Sequence, residues 1–294
     1  MEFASLPSMM CSPFMRMWKW AYLPIVKDFN GLGNRVKGLA NFYVRGSRVL
    51  ILVWNTRGWV TASFRDLFSL EGVRIVEFNN GFFYRVVSKL FRRFMPVGIV
   101  DEIHPYWSFI LPERLCHEKY LYRWSFAKKD SYSIDFRFNE IECDIRDYYR
   151  TFFCHLKPSK AVQARIKTFN HDFQTLVAVQ VRNSGLRSDR KDVCSIQTIM
   201  DAMDSYGEDQ RFFMSAMNGE IEKVFRDRYG ERVLTIVNKD YSSMVDAVAD
   251  MWILGRCKEL IASPTSTFSE VAWWWGGANV PVKMLPIEYN QRNL

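Results

Sequence analysis

Short apolar runs alternate with stretches of helix-spaced apolar positions in two blocks of this chain, separated by a less regular middle. The first block opens with Trp20-Ala21-Tyr22-Leu23-Pro24-Ile25-Val26, a predicted strand. A glycine-bearing turn follows, and then a helix with apolar positions at Val36, Leu39, Ala40 and Tyr43. Val49 to Trp54 is continuously apolar, as in a parallel strand covered on both faces. Val73 to Phe78 is the next predicted strand, and Phe83 to Phe94 has amphipathic helical spacing with Lys89, Arg92 and Arg93 on its solvated face. From about Met95 to Cys154 the chain is irregular and rich in aromatics and charges, reading as insertions that end in helical segments.

The second block is cleaner. Thr175 to Val181 reads as a buried strand, Ser195 caps a helix through about Met203, and Arg211 to Ser215 is a strand. Asn218 caps a helix with Ile221, Val224 and Phe225 inward, ended by Gly230. Arg232 to Val237 is a strand, Ser243 to Arg256 a helix, Leu260 to Ala262 a short strand, Thr267 to Trp274 a helix and Val280 to Met284 a last strand. Strict alternation at this pitch predicts an α/β fold, a parallel sheet with helices on both faces. Ligands of such sheets bind at the carboxyl ends of the strands.

Composition narrows the picture. The 294 residues suffice for two domains, and 48% hydrophobic with 24% charged residues is the balance of a folded protein. Aromatic content is high at 16%, with 10 Trp and 23 Phe, which buried packing accounts for most simply. A net charge of +8 suits an anionic partner, but the cations are scattered, so charge alone does not choose between nucleic acid, membrane and small anion. The tightest cluster beyond Lys89–Arg93 is Arg182, Arg187, Arg190 and Lys191, which follows a buried strand. Six Cys form no C-x-x-C pair and no metal-like cluster with the four His, so free thiols in a reducing compartment are expected. Residues 1–17 have no long apolar core and no run is long enough to span a bilayer, so the expectation is a cytoplasmic protein without a transmembrane segment.

Three constellations carry candidate chemistry. Gly31-Leu32-Gly33-Asn34-Arg35 lies between the first strand and first helix, where glycines permit a tight turn and close approach and the helix start offers N–H groups. By itself it reads more readily as a structural turn than as a ligand loop, since it lacks the third glycine of a dinucleotide fingerprint and the G-K-[ST] of a P-loop. Gln180-Val181-Arg182 ends the best strand, and an arginine there has a forked donor set suited to a diphosphate, or to an ordinary salt bridge. Asp250 in a helix is followed by Ser263-Pro264-Thr265-Ser266-Thr267-Phe268-Ser269, hydroxyls at a helix start that suit phosphate binding or capping.

In order and spacing these segments resemble the fucosyltransferase-like superfamily, which includes nodulation and core α1,6-fucosyltransferases and protein O-fucosyltransferases. The carrying motifs are GLGNR at 31–35, Phe64-Arg65-Asp66-Leu67-Phe68, Leu156-Lys157-Pro158-Ser159 leading to VAVQVR at 177–182, RFFMSAMN at 211–218 and DMWILGRCKELIASPTSTFS at 250–269. The resemblance covers roughly 18–285 with a gap over 80–155. It implies a GT-B-like fold of two Rossmann-like domains, 18–155 and 156–294, with parallel sheets facing a central cleft. It also implies an inverting transfer of a sugar, fucose favoured, from a GDP-sugar donor to a glycan or other hydroxyl acceptor, without a metal or other cofactor. The absence of a D-x-D motif agrees with the last point.

Carried over by position, Arg182 would bind the diphosphate and help expel GDP. Ser263, Ser266, Thr267 and Phe268 would line the donor's phosphates and base; Gly31, Gly33, Asn34 and Arg35 would approach from the other domain; Gln180, Asn218 and Asp250 complete the donor set. Asp250 would orient the donor loop or a backbone turn. Two departures stand out: Gln180 replaces the family's His and cannot titrate, and Met217-Asn218 stands where many relatives have Asp after the RFF strand. No general base is assigned, Glu77 and Asp101 being first-domain carboxylates within plausible reach. The alternatives are a non-catalytic nucleotide- or glycan-binding descendant of the same fold, favoured by those departures, and a nucleic-acid binder. The latter leaves the glycine loop and hydroxyl cluster unexplained, so no nucleic-acid partner is expected.

Overall fold

The computed structural model describes residues 21–22, 25–26, 31–42, 49–54, 56, 60–78, 86, 143–182, 194–263 and 266–286. The expected helix over 83–94 (apart from Val86), Tyr43, Asp101 and the cations at 187, 190 and 191 lie outside these residues.

Two parallel sheets are present. In the first, β3 (Val49–Trp54) is central. Both β1 (Ala21–Tyr22) and β2 (Ile25–Val26) pair with it in parallel, Ala21 opposite Val49 and Ile25 opposite Val53. The shared offset makes them two pieces of the one strand expected at 20–26. On the other edge β5 (Arg74–Phe78) pairs in parallel with β3. Helix α1 (Leu32–Phe42) follows β2, with Val36, Leu39 and Ala40 buried as their spacing requires.

The second sheet has five strands in the order β11-β10-β7-β8-β9, all parallel: β7 (Val177–Val181), β8 (Phe212–Ala216), β9 (Val233–Leu234), β10 (Glu259–Ala262) and β11 (Val282–Met284). Every residue of β7 and β8 is buried, the signature of strands covered on both faces. The covering helices are α5 (Ile196–Asp204), α6 (Gly219–Tyr229), α7 (Met244–Leu254) and α8 (Thr267–Trp275). Ser195, Asn218, Ser243 and Ser266 cap them, each side-chain oxygen accepting a first-turn backbone N–H.

Two expectations change. On α6 the inner face is Glu222, Phe225 and Tyr229, while Val224 is exposed. A buried carboxylate is tolerated because Arg226 Nε donates to it at 2.6 Å and the Tyr241 hydroxyl donates to it as well. The strand expected over 232–237 shrinks to β9, because Arg165 binds the carbonyls of Val237 and Asn238 at 3.0 and 3.2 Å and Asn238 takes φ of 50°.

A small antiparallel sheet ties the two halves of the sequence together. FRDLF forms α2 (Phe64–Leu67) and β4 (Phe68–Leu70), and LKPS forms β6 (Leu156–Pro158) plus the cap of α4 (Lys160–Thr168). Phe68 pairs with Pro158 and Leu70 with Leu156. Ser159 secures the junction, its N–H and Oγ donating to the carbonyls of Leu67 and Asp66 at 3.0 and 2.6 Å. Helix α3 (Cys143–His155) leads into β6 and stacks Tyr149 on Trp274 of α8.

The aromatic content is largely core. Trp54, Phe64, Phe68 and Trp275 form a chain of ring contacts 5.5–5.6 Å apart, and Trp275 Nε1 donates to Leu156 O at 2.7 Å. One cluster of buried residues runs from Leu32 and Trp54 through Phe152 to Trp275 and Ala278. No described helix is long and apolar enough to cross a membrane.

Candidate functional site

The carboxyl ends of β10, β7 and β8 lie side by side, with Ala262 opposite Gln180 and Gln180 opposite Ser215. Parallel partners in register face the same side of a sheet, and this side is covered by α7 and α8. Gln180 Oε1 accepts from Ser269 Oγ on α8 at 2.9 Å, and Ser215 Oγ donates to Asp250 Oδ2 on α7 at 2.8 Å. A buried polar row therefore runs across the rim of an otherwise apolar sheet.

Ser263 joins β7 to the turn before α8. Its Oγ donates to Gln180 O at 2.7 Å and accepts from Arg182 N at 3.1 Å. This pair of bonds holds the backbone of Arg182 just beyond β7, where its side chain is half-buried. Ser266 caps α8 by accepting from Ser269 N. Ser263, Ser266 and Thr267 are all buried, and Phe268 is half-buried. The Ser263 and Ser266 hydroxyls thus brace the turn, while the N–H groups of Thr267 and Phe268 precede the first intrahelical acceptor, at the positive end of the helix dipole. Pro264 and Thr265 lie outside the described residues.

The glycine loop reaches this same turn. A Cβ added to Gly33 would sit 2.7 Å from the carbonyl carbon and oxygen of Thr267 and 2.8 Å from Phe268 N. Only glycine lets the start of α1 approach the start of α8 this closely. Gly31 is exposed with open space around it. Arg35 is fully buried, its guanidinium 5.3 Å from the Trp54 ring centre and its backbone N–H on Gly31 O at 3.2 Å. The side chain of Asn34 lies outside the described part of the structure.

Asp250 is buried in α7 and paired with Lys239, itself buried, at 2.5 Å. Burial pushes the Asp250 carboxyl above the usual carboxylate range; Lys239 and Ser215 pull it back only in part. Its Oδ1 accepts no hydrogen bond among the described residues. Lys239 comes from the loop between β9 and α7, which is strapped down further by Arg165 on Asp246 (2.5 and 2.9 Å) and by Asp240 N on Asp246. The Tyr241 ring centre lies 4.9 Å from Lys239 Nζ and its hydroxyl donates to Glu222; burial, and then this bond, raises its phenol pKa. Asn218 is exposed and serves as the cap of α6. Among the described residues no three His, Cys, Asp or Glu side chains gather into a metal-binding group.

No family model and no curated protein matches the chain by sequence. Solved structures match it by fold. A variant of Arabidopsis thaliana FUT1 in complex with GDP matches at a TM-score of 0.53 and 15% identity, over 93% of this chain and 71% of that one. NodZ from Bradyrhizobium matches at 0.51 and 18%, over 93% and 96%. NodZ α-1,6-fucosyltransferase co-crystallized with GDP matches at 0.50 and 18%, over 86% and 92%. This chain has the fold of these fucosyltransferases.

Within the fucosyltransferase-like fold, Gly33, Gln180, Arg182, Ser263, Ser266, Thr267 and Phe268 come together at one rim. Asp250 joins that rim through Ser215, opposite Gln180. Arg35 sits in the interior beneath Trp54 and Asn218 on the surface. Sequence reasoning missed Ser269, Ser215 and Lys239. Ser269 and Ser215 lie inside motifs already noticed and are polar residues at buried positions, which was the available signal. Lys239 carries no local signal at all.

Proposed function

We propose that the chain is a GDP-sugar glycosyltransferase, fucose favoured, acting on a hydroxyl of a glycan or other acceptor. The observation that carries this reading is the convergence of Arg182, the Ser263–Phe268 turn and Gly33 at the carboxyl ends of β7 and β10. Proteins of the same fold, FUT1 and NodZ, have structures with GDP.

In this reading the diphosphate rests on the first-turn N–H groups of α8, and the Arg182 guanidinium binds it with its fork of donors. Both offset negative charge as GDP departs, in place of a metal; the acceptor oxygen attacks the anomeric carbon from the face opposite the diphosphate as the bond to GDP breaks, and this single displacement inverts that carbon. Gly33 and Gly31 bring the glycine loop to the donor, Gln180 contributes polar contact, and Asp250 orients the β9–α7 loop through Lys239. The two domains, 18–155 and 156–294, would face each other across a cleft, the first carrying acceptor contacts.

Thermal unfolding against GDP, UDP, dTDP, CMP and ADP tests the donor. A ligand that binds only the folded state stabilises it by about 2.7 kcal/mol at a hundredfold excess over its Kd. The expected result is a shift with GDP, followed by turnover of GDP-fucose. A shift with a different nucleotide would reassign the donor, and no shift with any of them would sink the reading.

A second reading, binding without transfer, is favoured by Gln180, which cannot titrate, and by Met217, which stands 43% exposed just beyond β8. It predicts the GDP shift without turnover.

A further inference from the structure

We propose that α8 is a strut fixed at both ends to the first half of the molecule, so that the two parallel sheets move and unfold as one body and the rim where α1 meets α8 has its shape before any ligand arrives.

A helix lying on a sheet buries one stripe of its surface. In α8 eight of the nine residues are buried, so it is enclosed on its other sides as well. Its contacts with the second sheet include Ser269 Oγ, which donates to Gln180 Oε1 of β7 at 2.9 Å, and Trp273 Nε1, which donates to Val280 O ahead of β11 at 3.0 Å. Its other contacts reach the first half. At the helix start Thr267 and Phe268 stand against Gly33 of α1 with no room for a methyl group. Further along, Tyr149 of α3 stacks on Trp274, ring centres 5.1 Å apart. At the helix end Trp275 meets Phe68 of β4 at 5.6 Å between ring centres, and its Nε1 donates to Leu156 O of β6 at 2.7 Å. Through Phe68 and Phe64 that end reaches Trp54, the last residue of β3.

Two sheets can hinge only where one contact zone serves as pivot and the others give way. Here the zones lie at opposite ends of a nine-residue helix, about 14 Å long. A pivot at Gly33 would draw Trp274 and Trp275 away from Tyr149 and Phe68 and leave the Leu156 carbonyl without its donor. A pivot at Trp275 would swing the start of α8 off, or into, the backbone of α1. Close-packed contacts of this kind do not deform by degrees. For the site, and on the nucleotide reading of this rim, the consequence is that the donor enters a preformed seat without one sheet closing on the other.

The test uses the full chain without ligand: native-state hydrogen exchange through a denaturant series, read by mass spectrometry at peptides covering β3 and β7. Both should exchange through the same global opening, with one midpoint and one denaturant slope. Trp275→Phe keeps a ring but removes the donor to Leu156 O, and it should lower protection of β3 and β7 alike, by roughly tenfold. Exchange of β3 through an opening that leaves β7 protected would overturn the strut, as would a loss in Trp275→Phe confined to β7. If that variant does not fold, the wild-type comparison decides alone.

Small-angle scattering with saturating GDP checks the preformed seat. The radius of gyration should stay constant where thermal unfolding shows GDP bound, and a decrease on binding would overturn the proposal. An absent thermal shift would sink the nucleotide reading instead, and the ligand-free exchange measurement would still decide whether α8 is a strut.

Discussion

Helix α8 meets other backbone closely at both rims of the second sheet, with α7 at one and α1 at the other, and the surroundings of the two contacts differ. At the amino-end rim both α7 and α8 terminate in glycine. A Cβ on Gly255 would lie 1.9 Å from Ala272 O, and one on Gly276 1.7 Å from Gly255 O. Around this contact stand buried Trp273, Trp274 and Trp275 and the thiol of Cys257, whose pKa burial pushes up to about 12. At the carboxyl-end rim the close approach is Gly33 on Thr267, and its surroundings are Gln180, Arg182, Ser263, Ser269 and the Lys239–Asp250 pair. Intimate packing is common to both, and so is a half-buried cation: at the amino-end rim Arg256 is committed to the carbonyls of Trp252 and Trp275, whereas the carboxyl-end rim holds a buried carboxylate oxygen, Asp250 Oδ1, that accepts from no described residue. Closeness alone therefore says nothing about function, and substitution should separate the two rims cleanly.

The largest effect is expected from Lys239→Met, which leaves a buried carboxylate without its partner. It should cost about 3–5 kcal/mol in denaturant unfolding at pH 7. Since the folded state raises the Asp250 pKa above 3.8, it holds that proton more tightly than the unfolded chain. Stability from this group is thus greatest below the ordinary carboxylate pKa and falls as pH rises through the folded value. In Lys239→Met the folded value rises further, so its deficit relative to wild type should shrink as pH is lowered toward 4. A deficit independent of pH would mean that the carboxylate is not what is stranded.

Gly276→Ala comes next, at roughly 3 kcal/mol, because a methyl cannot occupy space already held by a carbonyl oxygen. Nucleotide affinity, measured where the variant remains folded, should stay close to wild type. Gly33→Ala introduces a milder clash and should cost about 1–3 kcal/mol, but GDP affinity should fall with it, since the start of α8 must shift. Equal loss of binding in the two glycine variants would erase the distinction between the rims. The smallest stability effect belongs to Arg182→Ala, within about 0.5 kcal/mol for a half-buried strand-end residue. Transfer should nevertheless be abolished, and retained activity would remove Arg182 from the donor site.

The contrast between the two halves of the sequence shows how legible each was. In the second half, strands, helices and the caps Ser195 and Asn218 fell within a few residues of expectation, because an all-apolar run or a capping side chain reports its own surroundings. Val224 was misplaced for a reason periodicity cannot see: Glu222 goes inside only because Arg226 and Tyr241 arrive to satisfy it. The proposed site was legible as a position in the fold, the carboxyl ends of β7 and β10, but less so in its wiring. The hydroxyl run was visible; that Ser263 would serve the Gln180 carbonyl and Ser269 the Gln180 amide was not.

The sequence by itself determined the α/β alternation, the parallel strands, the helix starts and the motif order that resembles the fucosyltransferases, since each depends on neighbours along the chain. Tertiary structure alone decided which glycines meet backbone, that Arg35 lies beneath Trp54, that Lys239 neutralises Asp250, and that Ser269 reaches Gln180 across 89 residues. These contacts join segments far apart in the chain. Their energies depend on burial and on distances through space, and neither quantity exists until the chain has folded.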